Sequence, residues 1–169
     1  MARYLDKQLW GETRKASGSL THIRELIAAG ADVNRRGKCG TTPLWYAAYH
    51  GRVDIVAALL EAGADPNVNA EDGSGPLHFA ANNGHLAVVK QLLDRHANPN
   101  THRGDSGYTP LAAAISHGNA EIVRWLVQAG ASVEHRYFGL LMPEYAERQK
   151  QPEIAAFLRQ SRWRDPTSS

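Results

Sequence analysis

Cys39 is the only cysteine of the chain and its strongest candidate for a catalytic nucleophile. His50, eleven residues later, could serve as a base, and the basic side chains of Arg36 and Lys38 would favour a reactive thiolate nearby. A nucleophile also needs its base within hydrogen-bond reach and a third group that orients the base. Because one cysteine and one histidine do not supply that set, we expect an ordinary thiol in an exposed loop. An enzyme that uses Cys39 is the alternative from a different functional class.

The eight histidines raise the separate question of a metal site. His96 and His102 fall on different elements, and neither has a cysteine or carboxylate at a spacing typical of zinc ligands. The glycines do not form a phosphate-binding loop, because they recur at regular intervals, as residues that end helices do. We therefore expect no metal and no cofactor.

The elements that must position these residues are short helices, seen most clearly from Gly40 to Asn67. Thr42 is suited to cap a helix N-terminus through its hydroxyl, and Pro43 to occupy the first helical position. Gly51 is suited to end that helix and Gly63 the next one. Two helices this short cannot bury their apolar faces alone. The pattern therefore predicts further copies packed alongside.

Those copies recur at a fixed period. Pro43, Pro76 and Pro110 begin equivalent helices at spacings of 33 and 34 residues, and a period near this length indicates a stacked array. With its Thr-Pro-Leu, Ala-Ala, Gly-His and Gly-Ala-Asp-x-Asn motifs in matching places, the chain resembles the ankyrin-repeat family. The resemblance implies an all-α solenoid of helix–turn–helix repeats, structural roles for His78 and His85, and recognition of another protein.

The array is predicted to fill residues 1–160 as one domain of about five repeats, followed by a tail, 161–169, that is disordered beyond Trp163. The first and last repeats are degenerate and are expected to act as caps, because the outer face of a terminal repeat must be polar. Gly75 replaces the capping threonine of the third repeat, at an expected cost of only a few tenths of a kcal/mol, roughly. The predicted repeats are 1–34, 35–67, 68–100, 101–134 and 135–160.

Composition argues against several functional classes. A net charge of +2 and a hydrophobic content of 43% are ordinary for a soluble protein. The basic loop around Arg36 is followed by an acidic loop at Glu71 and Asp72, which argues against tracking a nucleic-acid backbone. The chain lacks the apolar core of a signal peptide and any apolar run of about 20 residues. With a single cysteine, it is expected in the cytoplasm, with neither nucleic acid nor membrane as a partner.

Positions that neither cap a helix nor pack in the core are predicted to contact a partner protein. Four of them are aromatic side chains expected to be exposed, and such side chains are enriched at binding hot spots. The loops alternate in charge from basic to acidic to mixed, which favours orientation of a partner more than affinity. The predicted partner-binding residues are Arg36, Lys38, Thr41, Tyr49, His50, Glu71, Asp72, Asn82, Asn83, Asp105, Tyr108, Ser116, His117, Tyr137, Phe138 and Arg148.

The predicted function is therefore a non-catalytic interaction module, monomeric when free, that binds a partner protein through its loops and its first helices. We expect it to block or sequester that partner, as an inhibitor or a toxin-immunity protein would. A small adaptor is the first alternative. A nucleic-acid binder is a further alternative, and it would require a steep salt dependence of binding.

Overall fold

The computed structural model describes residues 2–104 and 107–162, and within these ranges the chain forms ten α-helices in five consecutive pairs. Asp105 and the tail with Trp163 lie outside the described residues, so the predictions made for them stay predictions. The helices are α1 (Ala2–Arg14), α2 (Leu20–Ala28), α3 (Pro43–Tyr49), α4 (Val53–Glu61), α5 (Pro76–Asn82), α6 (Leu86–Asp94), α7 (Pro110–Ser116), α8 (Ala120–Gln128), α9 (Met142–Arg148) and α10 (Pro152–Arg162).

The first helices of the pairs pack in one row and the second helices in another. The inner helices α1, α3, α5, α7 and α9 each contact the next in that order, and the outer helices α2, α4, α6, α8 and α10 do the same. The predicted all-α solenoid of stacked helix pairs is confirmed. No helix of the described ranges is both long and apolar enough to cross a membrane.

The inner helices approach closely because alanine lines their contacts. Ala47, Ala80 and Ala114 are completely buried at equivalent places on α3, α5 and α7. Small side chains allow neighbouring helix axes to come near the lower limit of their usual 8–10 Å separation, roughly. The row of inner helices therefore forms a continuous surface from which the larger side chains project.

Threonine side chains cap two of the inner helices, and α5 has Gly75 at the same position. Thr42 accepts a hydrogen bond on Oγ1 from the backbone N–H of Trp45 at 3.2 Å, and Thr109 caps α7 in the same way. At α5, Gly75 has no side chain to accept an N–H of the first turn, and a different bond marks the start of the helix: Nδ1 of His78 accepts the N–H of Gly75 at 3.1 Å. His78 thus fixes the start of the helix that lacks its threonine.

The loops that join successive pairs form a second row, and we call them fingers: the first is 35–41, the second 68–74, the third 101–108 and the fourth 135–141. The first three are joined by backbone hydrogen bonds, and the third and fourth are joined by Nε2 of His135, which lies 2.7 Å from the carbonyl oxygen of Gly107. The N–H of Glu71 donates to the carbonyl of Cys39 at 2.9 Å, and that of Gly104 to the carbonyl of Asp72 at 3.0 Å. The fourth finger is a hairpin of β1 (Arg136–Tyr137) and β2 (Leu140–Leu141). The fingers are therefore held as a sheet-like series rather than as independent loops.

Candidate partner-binding surface

Five aromatic rings pack together on the inner helices, and we call them the inner aromatic cluster: Trp10, Trp45, Tyr46, Tyr49 and Phe79. Trp45 lies at its centre, with ring centroids 4.9 Å from Tyr46, 5.6 Å from Tyr49 and 4.4 Å from Phe79. Trp10 contacts Tyr46 edge-on at 5.4 Å. The cluster spans α1, α3 and α5, so three successive inner helices build one aromatic surface.

Tyr49 is the exposed member of this cluster and is held rigidly. Its ring is stacked on Trp45 with an interplanar angle of 8°, yet 41% of the residue remains exposed. Its carbonyl oxygen accepts a hydrogen bond from Nδ2 of Asn83 at 2.9 Å and contacts Nε2 of His85 at 3.2 Å. Because both backbone and ring are fixed, Tyr49 would lose little conformational entropy on contact with a partner.

A second group of rings, the fourth-finger cluster, consists of Tyr108, Tyr137, Phe138 and Tyr145. Ring centroids are 5.2 Å apart for Tyr108–Tyr137, 4.3 Å for Tyr137–Phe138 and 5.1 Å for Tyr137–Tyr145. The expectation that Tyr108 and Tyr137 are exposed was wrong, because both are half-buried by these contacts. Burial raises the pKa of the Tyr108 and Tyr137 hydroxyls.

Phe138 lies at the tip of the fourth finger and is 70% exposed, as predicted. Its φ is 52° and that of the following Gly139 is 75°, so a bulky residue occupies the left-handed region that favours glycine. Its ring contacts that of Tyr137, beside it in the chain, with the centroids 4.3 Å apart.

Side-chain hydrogen bonds connect the two clusters, because Nδ2 of Asn82 donates to Oδ1 of Asn83 at 2.9 Å and Asn83 in turn bonds the Tyr49 carbonyl. The hydroxyl of Tyr108 donates to Oδ1 of Asn82 at 3.2 Å, and the hydroxyls of Ser116 and Tyr145 are 2.7 Å apart. Asn82 is half-buried by its contact, whereas Asn83 and His117 are exposed. Beside them a cleft with a volume of about 430 Å³ is lined by Asn82, Arg103, Gly104, Tyr108 and Tyr137.

The fingers carry the charged part of the surface. Arg36 is exposed and donates to the carbonyl of Asn69 at 3.0 Å, and Lys38 and Glu71 are exposed near it in the row. Asp72 pairs with Nε of Arg103 at 2.7 Å across two fingers. Burial would raise the pKa of Asp72, but the hydrogen bonds from Ser74 and the charge of Arg103 outweigh that effect and lower it.

Two other predicted contact residues have contacts within the chain. Thr41 is buried, with 7% exposure, and its hydroxyl donates to the carbonyl of Lys38 at 2.9 Å, so assigning it to the partner surface was wrong. His50 is half-buried, with Nε2 2.9 Å from the carbonyl oxygen of Arg14. Arg148 is exposed on α9. The fold therefore removes Thr41 from the surface and ties His50 to the first repeat.

The sequence-based list missed Trp45, Phe79 and Tyr145, which are central to the two clusters. A signal was available for Phe79 and Tyr145, because both, like Tyr46, stand three residues after the first residue of their helix. The equivalent residue of α7 is Ala113, so the aromatic row is interrupted there. Comparison of equivalent positions across repeats would have detected it.

The residues considered for catalysis do not assemble into a site. Cys39 is exposed with φ of 58°, while the ring of its suggested base His50 faces the Arg14 carbonyl. Across the part of the chain that the structure describes, no group of three or more His, Cys, Asp or Glu side chains could hold a metal ion. His78 is buried between Gly75 and the Tyr108 carbonyl, where desolvation lowers its pKa to about 4.

Two family models match the sequence. One, described as ankyrin repeats (3 copies), covers residues 62–137, and another, described as ankyrin repeats (many copies), covers residues 26–74. Together they extend without a gap from 26 to 137. No curated protein matches the chain significantly.

Proposed function

The chain belongs to the ankyrin-repeat family, and we propose that it acts without catalysis, by binding one partner protein across its fingers and inner aromatic cluster and so blocking it. Ankyrin repeats are in general protein–protein interaction modules. Beyond that general role, we propose which surface binds the partner and that binding blocks the partner's activity.

The observation that carries the proposal is the exposed ring of Tyr49 on a rigid base. An exposed aromatic side chain whose backbone and packing are already ordered is the kind of residue that dominates binding energy. The polar side chain of Asn83 bonds the Tyr49 carbonyl, and the exposed charged side chains of Arg36 and Glu71 lie on the fingers that lead into α3 and α5. They would orient a partner while the aromatic surface supplies the affinity.

Blocking is favoured over an adaptor role by the placement of exposed apolar side chains. An adaptor must hold two proteins at once and therefore needs two separate surfaces. Within the described residues, the exposed large apolar side chains other than Tyr49 and Phe138 are Tyr4 on the inner helix α1 and Val53 on the outer helix α4, two single residues on different helices. The proposed setting is the cytoplasm, where one unpaired cysteine such as Cys39 is ordinary.

Capture with matched variants tests the proposal. Wild type, Tyr49→Ala and Tyr4→Ala would be immobilised and exposed to native lysate, after circular dichroism has shown equal helical content. Tyr4 is the matched control because it is an exposed tyrosine outside the inner aromatic cluster and the fingers, beside Lys7, Gln8 and Gly11 of α1. The expected partner is a protein retained by wild type and Tyr4→Ala and lost from Tyr49→Ala.

The activity of that partner then separates blocking from scaffolding. Adding the purified chain at equimolar ratio is expected to suppress the partner's own activity, and Tyr49→Ala is not. An active partner within the complex would favour the adaptor instead. If every retained protein binds Tyr49→Ala as well as wild type, the proposed surface is wrong.

A further inference from the structure

One stripe of α1 places two basic side chains beside the inner aromatic cluster. Lys7, Trp10 and Arg14 stand three and four residues apart, so they share one face of the helix. Lys7 and Arg14 are exposed, and the guanidinium carbon of Arg14 lies 5.5 Å from the centroid of the Trp10 ring. Because Trp10 belongs to the inner aromatic cluster, these two cations border that cluster.

The first finger brings two more cations to the same tryptophan. A Cβ atom at Gly37 would lie 2.1 Å from Nε1 of Trp10, so the indole ring lies directly on the backbone of this glycine. Arg36 and Lys38, on either side of Gly37, are exposed. Basic side chains from two separate elements therefore meet around Trp10. We call these four residues the basic strip: Lys7, Arg14, Arg36 and Lys38.

The carboxylates of the first two repeats are placed away from the basic strip. Asp6 is buried and accepts the N–H of Asp32 at 2.8 Å, and Glu12 pairs with Lys15 at 2.8 Å. The others lie on the outer helices or on the loops that follow them: Glu25, Asp32, Asp54, Glu61 and Asp65. Within the described residues, no member of the strip forms an ion pair. The first two repeats therefore leave the charge of the strip available to a partner.

The second finger ends this basic surface. Glu71 is exposed there, and Asp72 pairs with Arg103 of the third finger at 2.7 Å. A nucleic-acid backbone laid across the row of fingers would meet these carboxylates directly after the strip. A short acidic segment of a protein can cover the strip without extending to the second finger, and clustered basic residues are a common means of recognising acidic motifs. The charge pattern therefore favours a protein over a nucleic acid.

We propose that the partner protein presents a short acidic segment to the basic strip, next to an aromatic side chain that contacts Tyr49. The inference rests on the proposed function, because it gives the chemistry of the partner bound at the same surface. His50 connects the two parts of that surface. Its ring packs edge-on against Tyr49 with centroids 5.0 Å apart, and its Nε2 lies 2.9 Å from the carbonyl oxygen of Arg14. The strip and Tyr49 thus form one continuous contact area.

Titration of the full chain with a synthetic peptide, followed by heteronuclear NMR, tests this chemistry without the partner. The probe is Glu-Glu-Glu-Tyr-Glu-Glu-Glu, and its matched control is the same peptide with glutamine in place of glutamate. At low ionic strength the acidic peptide is expected to bind with a dissociation constant on the order of 100 µM, as a few surface ion pairs and one aromatic contact would give. The largest shifts should fall on α1 and the first finger, and the glutamine peptide should not saturate the chain.

Charge reversal locates the contact. Arg14→Glu and Lys38→Glu are each expected to raise the dissociation constant about fivefold, because an attraction is replaced by a repulsion. Arg24 is exposed on the outer helix α2, so Arg24→Glu makes the same change of net charge away from the strip and is expected to bind like wild type. Lys38→Glu serves as the variant that alters no ring contact. Equal circular dichroism of all variants is required first.

Two results of the titration would overturn the inference: a glutamate peptide that binds no more tightly than the glutamine peptide, or equal effects of Arg24→Glu and Lys38→Glu. Tighter binding of a thymidine oligonucleotide that is weakened by Lys38→Glu would replace the acidic segment by a nucleic acid. In the capture experiment, a partner lost from Tyr49→Ala but retained by Lys38→Glu would overturn the acidic segment and leave the proposed function intact. A partner that both variants retain would contradict the proposed function itself.

Discussion

The side-chain amide of Asn67 donates a hydrogen bond to the backbone carbonyl of His96, 3.1 Å away and one repeat further along the chain. Its carbonyl oxygen accepts a second bond from the backbone N–H of Asn98 at 2.8 Å. Asn34 and Asn100 make the same two kinds of bond to the repeats that follow them. One repeat position therefore ties the end of each outer helix to its neighbour, on loops distinct from the fingers.

Replacement of Asn67 by alanine should loosen the array at its middle. Two hydrogen bonds between repeats are lost, each worth about 0.5–1.5 kcal/mol, so the free energy of unfolding should fall by about 2 kcal/mol. Urea denaturation followed by circular dichroism measures this. Asn98→Ala is the matched control, because its side chain makes one bond, to the N–H of Asn100 in the same loop. Equal losses in the two variants would show that the inter-repeat bonds add nothing.

His96 stands where the other repeats have glycine, and its φ is 60°. Gly30, Gly63 and Gly130 occupy the equivalent place with φ near 90°. His96→Gly should therefore raise the free energy of unfolding by about 1 kcal/mol, because a left-handed conformation is strained for any side chain. Gly63→Ala makes the reverse change with no atom within 4 Å of the added methyl group, and it should lower stability by a similar amount. A less stable His96→Gly protein would mean that the imidazole contributes packing.

Protonation of His78 should destabilise the fold in acid. Nδ1 accepts the Gly75 N–H, so the proton resides on Nε2, which donates to the Tyr108 carbonyl at 3.1 Å. Desolvation holds the folded-state pKa at about 4, against an ordinary value of 6.5. Between these two values the unfolded chain binds more protons than the folded one. The contribution of neutral His78 to the free energy of unfolding is therefore complete above pH 6.5. It declines as the pH falls toward 4, by about 3 kcal/mol in all.

Denaturation curves from pH 7.5 to pH 4 measure that loss. In His78→Ala the decline assigned to this group should disappear, so the stability gap between wild type and the variant should narrow as the pH falls. His102→Ala, which removes an exposed histidine, should keep the wild-type slope. A gap of constant size would show that His78 does not titrate differently in the folded chain.

The fold was predictable because its signals are local and repeated. Thr42, Pro43 and Gly51 each act through their own turn of backbone, and a period of 33 or 34 residues allows equivalent positions to be compared. The exposure of the candidate site was not predictable in the same way. Tyr108 is half-buried by Tyr137, which is 29 residues away and belongs to another repeat. Such contacts depend on how fingers stack, which no single repeat specifies.

The threonine that Gly75 replaces shows where sequence comparison alone would mislead. The family pattern suggests that Gly75→Thr should add a cap and stability. A Cβ at residue 75 would lie 2.2 Å from Oδ1 of Asn69, however, so the added side chain collides with an existing one.

We expect Gly75→Thr to lower the free energy of unfolding by about 1 kcal/mol, the lower end of the cost of overpacking. In the Asn69→Ala background the same change should instead raise it by about 0.3 kcal/mol, because threonine exceeds glycine as a cap by only a few tenths. A double-mutant cycle by urea denaturation measures the coupling between the two sites, for which residues in contact commonly give about 0.5–3 kcal/mol. Independent effects of the two substitutions would show that Asn69 moves aside freely and that the cap is absent for another reason.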